Sequence, residues 1–600
     1  MIRYLCALLL VAGSAAAQTA PADAAVIARA GNVFIAEREF LERFELTPGL
    51  YRHRKPQLEG EKLQMLYSMV AEKLLAQEAT SRGLDTTAYY RTALLDLTKL
   101  LVRDELYRQE VSAKVTVTPA ELRQGVLRAR ERRVVRFLFC DREEDARFLR
   151  AQLHQPADLD RLVLDPTMQA MKDTATVLWG GADEVIENAA YALDRSALSP
   201  VVKAGDGYYV LRLVSVTPDP VLSTLPAATL RERAATTIRM RKERVREADF
   251  VGSLLATRHA SSPPATFRIV ADTIARIFRE QYTAPSMVFS PAMRDQARVR
   301  LAHLAGDTLI VAGDHVWSVA DALDRLVQRG FTISGDSVRG TAARLYTVFR
   351  EWAHQEMLAQ EGLARGLDRH PEVVQRLGPW KDHYLAGMLE RRISENVAIT
   401  DAELYAYLHS TDASVKVPEV RLRVLRTRTL DEMRTAFRMM EQGQSFEQTI
   451  RITSADSTGG DTGFFPITAR PPLGILASGL ERGQCYGPVH DSSGYTYLQL
   501  LDRRDGKEPA DTTGDARMAA AREEVHRLKA RRKTTLFIAQ SASRLGFEIY
   551  EDRLKMVQVT PLPMLAYRLL GFGGRMFDVP FVQPQLDWLN EEPPKEVILP

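Results

Sequence analysis

The sequence predicts an α+β multidomain chain made of two tandem units, each a mostly helical domain with a smaller α+β module inserted into it. Two observations predict this. The first is a repeat: "LAQEATSRGLD" at 75–85 recurs as "LAQEGLARGLD" at 358–368, an offset of 358 − 75 = 283 residues. Further matches keep the same order. "AGNVFIAEREFLERF" from Ala30 is echoed by "AGDHVWSVADALDRL" from Ala312, "VTVTPAEL" (115–122) by "VAITDAEL" (397–404), and "FRIVADTI" (267–274) by "FEIYEDRL" (547–554). So long a period marks tandem duplication and not a short-period solenoid. The second is a change of hydrophobic spacing inside each unit, from helical to alternating and back.

Each unit opens with a short β-rich stretch and then a helix. In the first copy this helix covers 61–82, where Leu63, Leu66, Val70 and Leu74 share one face. A second helix covers 89–110. A third starts at a capping box, Thr118 with Glu121 in the first copy and Thr400 with Glu403 in the second: the hydroxyl caps a free amide while the carboxylate reaches back. Strands "VVRFLFC" (134–140) and "EVRLRVL" (419–425) follow. Next come helices carrying Ala146, Leu149 and Leu153, or Met433, Phe437 and Met440, and then strands "GYYVLRLVSV" (207–216) and "GYTYLQLLDR" (494–503). Charged helices at about 226–257 and 514–544 lead back to "FRIVADTI" and "FEIYEDRL", both read as strands.

The domain boundaries follow. Residues 1–17 are a signal peptide; 24–131 form the first helical domain, completed by 222–285 around a module at 132–218. Residues 300–417 form the second, completed by 508–556 around a module at 418–506, and 557–600 are a proline-rich tail. The start "MIRYLCALLLVAGSAAAQTA" has a basic residue, a short apolar run and an A-x-A site before Gln18, which predicts export and cleavage. No later stretch is apolar for long enough to span a bilayer. Cys6 leaves with the signal, so Cys140 and Cys485 remain, too few for a disulfide framework, and a periplasmic location fits. The 80 basic and 77 acidic residues nearly cancel, which argues against nucleic acid as a partner.

The chain has no HExxH, CxxC or G-x-S-x-G pattern, and neither a cofactor nor a metal is expected. Gly335 and Gly340 in "GDSVRGTA" have phosphate-loop spacing but no lysine, and read as a loop. Met65, Met69, Met439 and Met440 read as core. The tail holds too many prolines for one helix and too many apolar residues for a solvated end, so it either wraps the body or docks a partner.

The stretch Gly459-Gly460-Asp461-Thr462-Gly463-Phe464-Phe465, between "EVRLRVL" and "GYTYLQLLDR", resembles the parvulin (PpiC) type of peptidyl-prolyl isomerase domain. "VAEKLLAQEATSRGLD" and "FEIYEDRL" resemble the chaperone domain of SurA and PrsA-type export foldases. The resemblance implies a proline-binding groove over a four-stranded sheet. Rotation about X-Pro faces a barrier of about 18–20 kcal/mol and needs no nucleophile, only an apolar pocket and groups that favour the twisted amide.

Carried onto this chain, the family's two histidines fall near Val424 and at Thr496, and neither is a histidine. Asp456 matches the family's acidic position. The resemblance names Asp456 and Thr496 as a degenerate catalytic pair, and Gly459, Gly460, Asp461, Phe464, Phe465, Leu473, Ile475 and Tyr495 as the substrate groove. His490 reads as a turn residue, and the first copy keeps only "VLWGGADEV" (177–185). A plainer reading of the glycine stretch is a tight turn whose two phenylalanines fill a core.

The implied function is a periplasmic folding factor with weak or absent isomerase activity, binding unfolded exported chains such as outer-membrane β-barrel precursors in a cradle between its units. An isomerase acting through the second module and a dedicated assembly scaffold are the alternatives.

Overall fold

The computed structural model describes residues 25–46, 55–164, 171–195, 197–220, 222–281, 286–334, 338–410, 418–427, 430–454, 460–467, 469–470, 473–478, 480–491, 494–504, 514–559 and 567–591. The predicted signal peptide lies outside them. No described helix is long and apolar enough to cross a membrane. The chain is an α+β multidomain protein and divides into two compact units, 1–103 with 362–600, and 104–361.

In the first unit the strands Val26–Ala30 and Val33–Ala36 form a hairpin turned by Gly31, whose φ of +58° suits glycine. The Lys55–Ser81 helix packs on it and against Pro371–Glu395 and Gly514–Leu545. Ile27, Ile35, Phe40, Leu66, Leu389 and Ile538 lie in their common core. Gln77 reaches back from the long helix to the hairpin, Nε2 donating to the Ala30 carbonyl at 2.9 Å.

The second unit uses the same local devices. Thr308–Ala312 and His315–Ser318 form a hairpin turned by Gly313 at φ +56°, and Gln360 of the Val338–Ala364 helix donates to the Ala312 carbonyl at 3.0 Å. Phe278, Leu323, Phe349 and Trp352 fill this core. The capping boxes form as the sequence predicts, Glu121 amide on Thr118 Oγ1 and Glu403 amide on Thr400 Oγ1, each at 3.3 Å.

Three expectations are corrected. The hairpins are not closed by the segments that follow them in the same repeat. Phe547–Ile549 pairs with the first hairpin, Ala28 opposite Ile549 and Ala30 opposite Phe547. Ala260–Ser261 pairs with the second, Ala260 opposite Ala312. Both pairings are between segments far apart in sequence, so the order of matches along the chain does not decide them. "FRIVADTI" is not a strand but part of the Pro264–Glu280 helix, where Val270, Ile274, Ile277 and Phe278 form one buried face. Gly340 lies inside the Val338–Ala364 helix and not in a loop; Gly335 lies outside the described residues.

Each unit also holds a four-stranded antiparallel sheet. The module of the second unit orders its strands Met171–Leu178, Glu131–Cys140, Tyr208–Pro218, Val202–Lys203. That of the first unit orders them Asp461–Pro466, Glu419–Thr427, Gly494–Arg504, Cys485–Asp491. In both, the first and last long strands are central, and two helices connect the first strand to the edge strand that follows it.

Candidate functional site

The later module is built on alternation along its two central strands. Val420, Leu422 and Val424 share one core with Phe465, Leu473, Ala477, Leu498 and Leu500, beneath the Leu473–Ser478 helix. Leu425, Tyr495 and Tyr497 face the other way, against Met433, Phe437, Phe446 and Ile450 of the Leu430–Glu441 and Phe446–Thr453 helices. Thr496 stands between the two tyrosines and so turns to the first face, opposite Arg426 in register. It is fully buried, and its Oγ1 has no hydrogen-bond partner among the described residues.

The glycine stretch is held by the backbone. Gly460 has φ +78°, and a Cβ there would stand 2.5 Å from the Val424 carbonyl oxygen and 2.9 Å from Ile450 Cδ1. Its own carbonyl accepts the Val424 amide at 2.7 Å. Val424, near the expected first histidine, is thus a core residue 2% exposed.

Asp461 serves the same turn. Arg421 Nε donates to its two oxygens at 3.0 and 3.1 Å, Arg421 Nη2 donates at 2.5 Å, and the Gly463 amide donates at 3.0 Å. The hydrogen bonds from Arg421 hold this carboxyl below the usual aspartate range. Phe464 lies under the Arg504 guanidinium at 4.0 Å, and buried Phe465 under that of Arg470 at 4.7 Å.

The predicted site residues do not all converge. Phe465, Leu473 and Thr496 share a face; Tyr495 is on the opposite one, and Asp461 is spent on Arg421. Asp456 and Gly459 lie outside the described residues, as does the side chain of Ile475. His490 sits in a strand, paired with Tyr495, and not in a turn. The sequence reading missed Arg421 and Arg504, although alternating arginines in "EVRLRVL" mark a face that could receive acids. It also missed the contact between Tyr497 and Cys485: burial pushes both the phenol and the thiol upward, so this cysteine is not a ready thiolate.

In the earlier module Tyr209 takes the place of Thr496, third in "GYY" as Thr496 is in "GYT", with Phe139 and Phe137 at 5.1 and 5.8 Å. Its glycine pair is anchored by fully buried Glu187, whose Oε1 accepts the Gly180 and Ala182 amides at 2.8 and 3.0 Å. Arg241, on the Ala227–Thr257 helix, donates to Oε2 at 2.5 Å and covers the Trp179 ring at 5.4 Å. Among the described residues no group of three or more His, Cys, Asp or Glu is placed to hold a metal ion.

No family model matches the chain, and no curated protein matches it. Among solved structures it is similar to a PpiC-type peptidyl-prolyl cis-trans isomerase domain, 28% identical over 16% of this chain and 98% of that one, with TM-score 0.15. It is similar to the peptidylprolyl isomerase PrsA from Bacillus anthracis, 20% identical over 30% of this chain and 75% of that one, TM-score 0.15. It is also similar to one of two SurA-like chaperones of Campylobacter jejuni, PEB4 and Cj1289, 16% identical over 34% of this chain and 83% of that one, TM-score 0.15.

Proposed function

We propose that this chain is an exported folding factor of the parvulin and SurA kind, one that holds unfolded polypeptides and whose isomerase-like modules bind more than they catalyse. One observation supports the reading: the later module has a four-stranded antiparallel sheet and a glycine turn, as the resemblance implies, while Thr496, aligned with the family's terminal histidine, is buried and non-ionisable. A buried threonine at that position carries no charge and no proton to exchange. It offers the rotating amide little of the preorganised charge on which rate acceleration depends.

The clients that fit are extended chains rich in aromatic residues, outer-membrane β-barrel precursors among them, met in the periplasm after cleavage before Gln18. In a light-scattering assay the purified mature protein should slow aggregation of such a precursor at equimolar ratio; unchanged aggregation would overturn the reading. Exchange spectroscopy on an X-Pro peptide separates holding from catalysis: no acceleration is expected, and acceleration lost in Asp456→Ala would return the second module to the enzymes.

A further inference from the structure

The C-terminal tail of the first unit is laid out as a bound peptide. After the short hairpin Tyr567–Leu569 and Arg575–Phe577, residues 578–586 run without helix or strand, and a single 3-10 turn, Asp587–Asn590, ends the described segment. Val582 and Trp588 enter the core shared by the Lys55–Ser81, Pro371–Glu395 and Gly514–Leu545 helices. Trp588 is 3% exposed and meets Tyr67 and Phe547 edge to face at 6.3 and 5.1 Å.

The polar contacts follow the extended backbone. Ser68 Oγ accepts the Gln585 amide at 3.1 Å, Gln585 Nε2 donates to Glu390 at 3.0 Å, and Arg43 Nε donates to the Pro580 carbonyl at 3.3 Å. Three acids spread along the segment meet three arginines of the helices: Asp578 with Arg376 at 3.2 Å, Asp587 with Arg531 at 2.7 Å, and Glu591 with Arg532. Gln583 and Pro584, between the anchors, are exposed.

A buried aromatic anchor within a rim of exchangeable ion pairs is how a protein recognises a separate peptide. Two prolines, Pro580 and Pro584, restrict the free segment and reduce the entropy lost on binding. We infer that residues 578–591 are an intramolecular ligand covering a polypeptide-binding groove of the first unit. The groove's external ligand is an extended, proline-containing segment with a tryptophan or similar aromatic anchor and flanking acidic residues. The inference rests on the folding-factor reading only for the origin of such segments; the groove itself is tested with a defined peptide.

The probe is a fluorescent peptide of sequence DVPFVQPQLDWLNE, residues 578–591, titrated by anisotropy into the full mature chain and its Trp588→Ala variant. Loss of the anchor frees the groove, so the variant should bind at least about ten-fold tighter than the unaltered chain, while a peptide lacking the tryptophan binds neither. A chain shortened after Phe577 should bind as the variant does, and the variant decides the matter where the shortened chain does not fold. A variant that melts cooperatively and binds no peptide overturns the inference, as does equal binding by the unaltered chain. A doubling of mass in place of peptide binding would assign the groove to the tail of a second copy and overturn it too. Failure in the aggregation assay with peptide binding intact would count against the folding-factor reading alone.

Discussion

The two small sheets order their strands alike but fasten their glycine turns to different things. In the earlier module the anchor is Glu187, which takes two backbone amides on one oxygen and Arg241 of the Ala227–Thr257 helix on the other. Trp179, the ring under Arg241, fits so closely against the Pro119–Ala129 helix that a Cβ on Gly125 would come within 2.9 Å of it. In the later module the anchor is Asp461, and its partner Arg421 belongs to the neighbouring strand of the same sheet. The first arrangement makes the module part of its helical surroundings. The second leaves the module closed on itself, with its turn held by exposed charges.

The comparison is tested most severely at Glu187. Glu187→Ala takes a fully buried acceptor away from two backbone amides and the partly buried Arg241, and removing one partner of a buried pair costs about 3–5 kcal/mol. Urea unfolding should show that loss, with hydrogen exchange accelerated across 177–192 and in the facing part of the Ala227–Thr257 helix. A cost below about 1 kcal/mol would mean that the acid does not tie the module to the helix.

Gly460 should come next. Alanine there adds the strain of a left-handed backbone to an overlap with the Val424 carbonyl, together about 2–4 kcal/mol. Gly463 supplies the control: its φ is +63°, but a Cβ there meets nothing within 4 Å, so Gly463→Ala should cost only the backbone strain, about 1 kcal/mol. Equal effects at the two glycines, by thermal or urea melts, would remove the close approach from the account of the turn.

These residues also mark what was legible in the sequence. Short-range chemistry was: the threonine and glutamate of each capping box are three residues apart, and both boxes form. The alternation in "EVRLRVL" marked a strand, which the structure puts inside its sheet. Pairings across long separations were not, because composition at one position carries no address for its partner. Arg421 and Asp461 are 40 residues apart, Glu187 and Arg241 54. The same limit hid the charged network of the first unit, where Arg43 Nη1 donates to Glu72 at 2.6 Å and Lys73 pairs with both Glu39 and Asp382. It also hid which strand closes each hairpin, Phe547–Ile549 for the first and Ala260–Ser261 for the second. The resemblance named Thr496, Tyr495 and Asp461 for one site, but it could not show that Tyr495 turns to the opposite face or that Asp461 is already committed.

A smaller effect belongs to Asp461 itself. Its pair with Arg421 is partly exposed, so Asp461→Asn should cost no more than about 1 kcal/mol, and less in high salt. The sign with pH follows from the lowered carboxyl. The stabilisation is present above the unfolded aspartate value of about 3.9 and is lost as pH falls through the lower folded value. Urea midpoints of the two proteins should therefore converge as pH drops from 6 toward 3. A difference that persists at low pH would mean that the aspartate acts through its shape and its bond to the Gly463 amide, not its charge.

The smallest expected change is at Thr496, and its sign carries the information. A buried hydroxyl without a partner costs desolvation and returns no hydrogen bond, so valine, with nearly the same shape, should be neutral or stabilising by up to about 1 kcal/mol. Tyr209 at the corresponding place in the earlier module differs, since its hydroxyl donates to Asp206 at 2.7 Å; Tyr209→Phe should lose a few tenths to about 1 kcal/mol. Opposite signs in paired urea melts would show that the two sheets have parted at the position where the family resemblance calls for a histidine. A clear loss in Thr496→Val would instead give that hydroxyl a partner in the folded protein, and would make the later module's apolar face a polar site.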